Sequence, residues 1–138
     1  MSGERDLGRI LSSLEVRQRE GVYVFVNVEP GDPLPDLPIA AMVSEVEGTS
    51  ILVNRVAADA AGLAWEFEAA WLTLDVHTSL DAVGVTASMS TALAVQGIPC
   101  NVVAGFHHDH ILVPLDRVED AIQAVAVIRA QREAEDLD

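Results

Sequence analysis

Lysine is absent from the sequence: all eight basic residues are arginines, set against 22 acidic residues, and the net charge is −14. A surface this acidic repels phosphate groups, which argues against nucleic acid or an anionic membrane as the primary partner. Aromatic residues make up only 4% of the chain, whereas hydrophobic residues make up 50%. The predicted core is therefore aliphatic, as in an α/β domain or two small modules that share a core.

Cysteine is nearly absent as well. The single thiol, Cys100, excludes an internal disulfide and fits a reducing compartment. The first residues contain no apolar stretch typical of a signal peptide, and no apolar run approaches the roughly 20 residues that span a bilayer. These features predict a soluble cytoplasmic protein.

The first half of the chain alternates between strand and turn signals. Apolar spacing predicts a short helix over Asp6–Leu14, and alternation predicts a central strand over Val22–Val28. Four prolines between Glu29 and Pro38 exclude a helix there. A hairpin is predicted over Ala41–Val53, followed by a short helix that Asn54 caps and Gly62 ends.

The second half shows a fuller version of the same order. A strand is predicted over Phe67–Asp75, and then a helix capped by Thr78 or Ser79 that runs to Gln96. Two strands follow, Asn101–Ala104 and His110–Val113. The last helix begins near Asp116 with Glu119 in a capping box, and its acidic tail is expected to fray after Gln131.

Strand, helix, strand, strand, helix is the order of a split βαβ unit. The predicted fold class is therefore α/β (α+β), with two ferredoxin-like split βαβ modules in tandem. The expected division places the N-terminal helix and a degenerate first module in residues 1–64, and the second module with the acidic tail in residues 65–138. One unit of about 60 residues is marginal by itself, which favours a shared core.

The stretch Leu74–Thr86 resembles the strand-to-helix corner of ACT domains. The resemblance continues through Ala92-Leu93 and Gly97–Val103 and closes with His108–Pro114. It is similar to the small tandem ACT proteins of bacteria and to the ACT modules of aspartate kinases and arginine sensors. Two departures stand out: Val83-Gly84 replaces the family's Pro-Gly several residues late, and the first module has the proline loop in place of a helix.

The resemblance implies a ligand site where the first strand of the second module meets its helix, often completed by a neighbouring module or subunit. A helix N-terminus suits a ligand carboxylate, and a nearby carboxylate suits its ammonium group, so an amino acid is the expected ligand. Asp109, Asp81 and Asp75 are the candidate partners for the ammonium group. The predicted ligand-binding residues are His77, Asp81, Val83, Gly84, Val85, Thr86, Asn101 and Asp109.

Five of these candidates also have a structural interpretation. Asp75 and Asp81 could only stabilise the helix start, and Asn101 could satisfy strand backbone groups. Gly84 could serve tight packing between helix and sheet. His77 could be a surface residue at the end of a strand.

The run His107-His108-Asp109-His110 raises a metal hypothesis, because His108 and His110 share one face of a strand. Without a third fixed ligand the pattern is weak, so we expect no metal and no cofactor. Ser88 and Ser90 lie in a predicted helix and not on a nucleophile elbow. Cys100 is interpreted as a small core residue, so no catalytic residue is assigned.

The leading functional prediction is a non-enzymatic regulatory protein that binds an amino acid and forms a homodimer. One alternative is a structural or interaction protein whose ACT-like pair has lost its ligand. Another is a metal-dependent protein that uses His77, His108 and His110.

Overall fold

The computed structural model describes residues 14–75 and 84–136, with side chains through residue 130. The predicted helix over Asp6–Leu14 therefore lies almost wholly outside the described residues. The strands are β1 (Glu15–Gln18), β2 (Tyr23–Val28), β3 (Ala41–Glu45), β4 (Gly48–Asn54), β5 (Glu66–Asp75), β6 (Asn101–Ala104) and β7 (Asp109–Pro114). The helices are α1 (Arg55–Ala60), α2 (Val85–Val95) and α3 (Val118–Asp136), and a 3₁₀ turn at Leu115–Arg117 precedes α3.

The seven described strands form one sheet in the order β3-β4-β2-β5-β7-β6, with β1 added alongside β5. Every neighbouring pair is antiparallel. The long strand β5 pairs with β2 near its start and with β1 near its end, while β7 lies along its other side. As a result, β1 and β2 follow each other along one edge of β5.

This pairing builds two split βαβ units that share β5. The first unit contains β2, β4 and β3 with the start of β5, and α1 packs through Ala58 against its core. The second contains the end of β5 with β7, β6 and β1, and α2 and α3 pack against it. The α/β fold class is confirmed, and the first unit is degenerate because residues 29–40 contain no helix.

The N-terminal segment belongs structurally to the second unit. Glu15–Gln18 pairs with Leu72–Asp75, and Leu14, 1% exposed, packs into the core beneath α2 and α3. The expected division after residue 64 follows the chain but not this packing. Residue 14 was expected to end a helix, whereas it leads into a strand.

Side chains alternate between two faces of the sheet. On the face that we call the helix face, Val24 and Val26 lie against α1, and Leu72 and Leu74 lie against α2 and α3. The other face, which we call the open face, carries Tyr23, Phe25, Leu52, Ala69, Trp71, Leu112 and Val103. All three described helices therefore lie on one face.

Both short-range capping predictions in the first unit are confirmed. The Asn54 side chain accepts hydrogen bonds from the N–H groups of Val56 at 2.9 Å and Ala57 at 3.4 Å. Gly62 follows α1 with a φ of 68°. The backbone of α3 is helical to Asp136, so the prediction that the helix frays after Gln131 is wrong for the backbone.

Replacing Leu14 with Ala tests whether the N-terminal segment completes the second unit. Removing this buried side chain should lower the free energy of unfolding by about 2–5 kcal/mol, measured by urea denaturation, because it leaves a cavity in the core. The control Leu34→Ala changes a half-exposed side chain in the proline loop and should alter stability by less than about 1 kcal/mol. Equal effects of the two substitutions would show that Leu14 is not a core residue.

Candidate functional site

The corner that leads into α2 is set by a glycine. Gly84 is the N-cap of α2 and has a φ of 94°, in the left-handed region that glycine adopts most readily. Because Gly84 has no side chain to cap the helix, the first N–H groups of α2 need acceptors from elsewhere. The first helical bond runs from the Ser88 N–H to the Gly84 carbonyl, at 2.9 Å. A helix terminus of this kind suits an anionic group.

The observed start of α2 corrects the sequence prediction. The described helix begins at Val85 with Gly84 as its N-cap, later than predicted, and the predicted caps Thr78 and Ser79 lie outside the described residues. The predicted C-terminal signal is confirmed, because Gly97 has a φ of 70° and the Ile98 N–H bonds to the Leu93 carbonyl at 3.0 Å. A left-handed residue followed by this bond is the usual end of an α-helix.

The structure describes five of the eight predicted ligand-binding residues. His77, Asp81 and Val83 lie outside the described residues. Gly84, Val85 and Thr86 form the start of α2. The Val85 side chain is 4% exposed and packs in the core, so its side chain is not available to a ligand, whereas Thr86 is exposed.

Asp109 lies beside the C-terminal end of β5, the strand that precedes the corner. It begins β7, where it pairs with Leu74 of β5 and with Ala104 of β6. Leu74 packs on the helix face, and directly paired residues point to the same face. The Asp109 side chain therefore lies on the face that carries α2, beside the end of β5 that leads to the corner.

Asn101 is not brought together with Asp109. It starts β6 and pairs with Leu112, a residue of the open face. Asn101 and Asp109 therefore lie on opposite faces and at opposite ends of the β6–β7 hairpin. This correction follows from strand alternation, which depends on a register that the sequence does not specify.

Asp75 also faces away from the helix face. Its carboxylate lies 3.0 Å from Arg17 Nε and 4.0 Å from His108 Nδ1. Arg17 pairs with Thr73, whose other neighbour is His110. Asp75 is thus an ion-pair partner on the open face, which favours neither contact with a ligand at the corner nor the predicted role at the helix start.

The hydrogen bonds of His110 define its protonation state. The indole Nε1–H of Trp71 lies 3.2 Å from His110 Nδ1, and an indole N–H can only donate. Nδ1 must therefore accept, so the neutral ring carries its proton on Nε2. Burial lowers the pKa of His110, and the nearby charges of His108, Arg19 and Arg17 lower it further, against the opposing effect of Asp109.

Metal and nucleophile chemistry gain no support from the described part of the chain. No group of three or more His, Cys, Asp or Glu side chains there is arranged to hold a metal ion, and His77 lies outside it. Cys100 packs against the core of the second unit. Burial raises the pKa of its thiol, which disfavours the reactive thiolate. None of the described helices is both long and apolar enough to cross a membrane.

Comparison with known families and structures identifies the fold. Two ACT-domain family models match, one over residues 2–70 and the other over residues 66–126. The chain belongs to the ACT-domain family, as a tandem of two ACT units. A comparison with curated protein sequences finds no match.

Several solved structures are similar to this chain. A Vibrio cholerae protein of unknown function, described as a possible transport protein, is 36% identical with a TM-score of 0.81, over 89% of this chain and 95% of its own. An Agrobacterium tumefaciens protein is 17% identical with a TM-score of 0.71, over 84% and 89%. The regulatory subunit of aspartate kinase from Thermus flavus is 12% identical with a TM-score of 0.59, over 83% and 95%. The last two similarities show the shared fold.

Substitution of Gly84 tests whether its backbone conformation defines the start of α2. Gly84→Ala should lower the free energy of unfolding by about 1–2 kcal/mol, because a Cβ disfavours the left-handed conformation. Gly84→Asn should cost less, since Asn adopts that conformation more readily. Chemical denaturation of both variants measures this order, and a neutral Gly84→Ala would contradict the assigned conformation.

The pKa of His110 predicts a pH dependence of stability. A histidine whose pKa is lower in the folded state than its unfolded value of about 6.5 stabilises the fold above that pH. This stability is lost as the pH falls through the lower folded-state pKa. The difference in unfolding free energy between pH 7 and pH 5 should be larger for the native protein than for His110→Asn, which cannot titrate. Equal differences in the two proteins would contradict the lowered pKa.

Proposed function

We propose that this protein is a non-enzymatic regulatory sensor that binds an amino acid at the corner between β5 and α2. The observation that carries the proposal is the position of Asp109 beside the end of β5, on the face that carries the uncapped start of α2. The ligand carboxylate would accept hydrogen bonds from the N–H groups at Gly84, Val85 and Thr86. Its ammonium group would pair with Asp109.

The proposal uses the predicted residues unequally. Val83, Gly84, Val85 and Thr86 would contribute backbone groups, while His77, Asp81 and Thr86 would also supply polar side chains around the ligand. Asn101 lies on the open face, paired with Leu112, and so has no role at this corner within one subunit. This difference supplies a matched control.

The non-enzymatic part of the proposal is supported by the family and by the placement of the nucleophiles. ACT domains are regulatory modules, and both family matches are to such domains. Ser88 and Ser90 lie within α2, and the Cys100 thiol has a raised pKa. The unpaired Cys100 also supports a cytoplasmic location.

We further propose a homodimer formed through the sheet. Strands β3 and β6 lie at the two ends of the described sheet order, and each exposes apolar side chains: Met42 and Val43 on β3, and Val102 on β6. Exposed apolar edges favour pairing with a second chain. Sedimentation measures the assembly, and a monomer at all concentrations would contradict this part of the proposal.

The ligand proposal is tested by isothermal titration of the native protein with each proteinogenic amino acid. We expect one amino acid to bind, and Asp109→Asn to weaken its binding about tenfold or more, because a charge-assisted hydrogen bond to the ammonium group is lost. The control Asn101→Ala should bind as the native protein does.

Flat titrations with folded protein would contradict amino-acid sensing and favour a structural or interaction role. Loss of binding in Asn101→Ala with normal binding in Asp109→Asn would move the site to the open face. Both variants need unchanged thermal unfolding for the comparison to hold.

A further inference from the structure

Arg19 differs from every other arginine whose side chain is described. Each of the others contacts a carboxylate: Arg17 contacts Asp75 at 3.0 Å, Arg55 contacts Glu68 at 2.8 Å, Arg117 contacts Asp120 at 2.8 Å, and Arg129 contacts Glu15 at 3.7 Å. Among the described residues, Arg19 has no such partner. In a chain with 22 acidic residues, a guanidinium without a carboxylate calls for a physical explanation.

Two aromatic rings hold Arg19 in place. Its guanidinium carbon lies 5.0 Å from the centre of the Tyr23 ring and 4.9 Å from the centre of the Trp71 ring. The two rings pack edge to face with their centres 5.3 Å apart. The backbone N–H of Arg19 donates a hydrogen bond to the Trp71 carbonyl at 2.9 Å. Stacking on the rings restricts the side chain while leaving its in-plane N–H donors free. Arg19 is exposed, so these donors are accessible from solvent.

Two neighbouring side chains on the open face also offer N–H donors, Arg17, whose Nε is paired with Asp75 at 3.0 Å, and His110. Arg17, Thr73 and His110 lie side by side across β1, β5 and β7. The Trp71 indole and the Thr73 hydroxyl, 3.2 Å and 3.0 Å from Nδ1, both donate to that atom, which leaves the His110 Nε2–H as a donor. The described open face thus gathers two arginines and a histidine around one row of the sheet.

We propose that this cluster, Arg19 with Arg17 and His110, is a binding site for the oxyanion of a small molecule, either a carboxylate or a phosphate-like group. A planar guanidinium matches both groups through paired hydrogen bonds. The site lies on the open face, whereas the proposed amino-acid corner lies on the helix face. The two proposals are therefore independent, and each can fail without the other.

Trp71 provides a direct signal for binding. In a Trp65→Phe variant it is the only remaining tryptophan, and its ring lies beneath the Arg19 guanidinium. Titration with sodium sulfate should change its fluorescence along a saturable curve, at constant ionic strength maintained with sodium chloride. A parallel titration with sodium succinate distinguishes a preference for phosphate-like groups from one for carboxylates.

Arg19→Gln in the same background should weaken binding of the preferred anion about tenfold or more, because a charged donor is lost. Arg19→Lys, which keeps the charge but not the planar fork, should bind with intermediate strength. The control Arg55→Gln alters an arginine already paired with Glu68 and should leave the affinity unchanged. Circular dichroism verifies that each variant is folded.

Three results would overturn the proposal: no saturable change with either anion, equal affinities of the native side chain and Arg19→Gln, or an equal loss in Arg55→Gln. A shift of the monomer–dimer equilibrium in Arg19→Gln without any anion effect would also overturn it, and would assign Arg19 to a contact between subunits. Amino-acid titrations of Arg19→Gln should match those of the native protein, which separates this site from the corner.

Discussion

Backbone hydrogen bonding along both sides of β5 is the constraint on which the rest of the structure depends. One side of this strand pairs first with β2 and then with β1, while the other side pairs with β7. Neither unit has a complete sheet without β5, and the second also needs β1 from the other end of the chain. Because the two units share this central strand, neither can form its sheet independently of the other. This agrees with the small core that a unit of this size can form.

Pairing of β5 also determines which groups can meet. Successive residues of a strand point to opposite faces, and directly paired residues point to the same face. Asp109, paired with Leu74, therefore lies on the helix face, and His110, paired with Thr73, lies on the open face. A shift of one residue in the β5–β7 register would exchange these environments and place a carboxylate in the apolar contacts around Trp71. The burial of Leu72, Trp71 and Leu112 on their respective faces opposes such a shift.

Those parts of the fold that depend on local pattern could be predicted from the sequence. The alternation in Val22–Val28 and Phe67–Asp75, the Asn54 cap and the glycines after α1 and α2 each have a cause within a few residues. β1 could not be predicted in this way, since Val16 is its only apolar residue and charged or polar residues surround it. Its conformation comes from pairing with a strand more than 50 residues away along the chain.

The candidate site shows the same division between local and distant causes. Gly84 could be identified from the sequence as a residue of the corner, but its left-handed conformation and its position as the N-cap of α2 could not. From the sequence, both Asp109 and Asn101 were predicted to lie beside the corner. The pairing of β6 with β7 shows that they lie on opposite faces of the sheet. In this chain the backbone that we propose to bind the ligand carboxylate and its proposed acidic partner, Asp109, come from segments about 25 residues apart. Because register brings them to one face, a substitution that disturbs the β5–β7 pairing should impair the corner even where it alters no group that contacts the ligand.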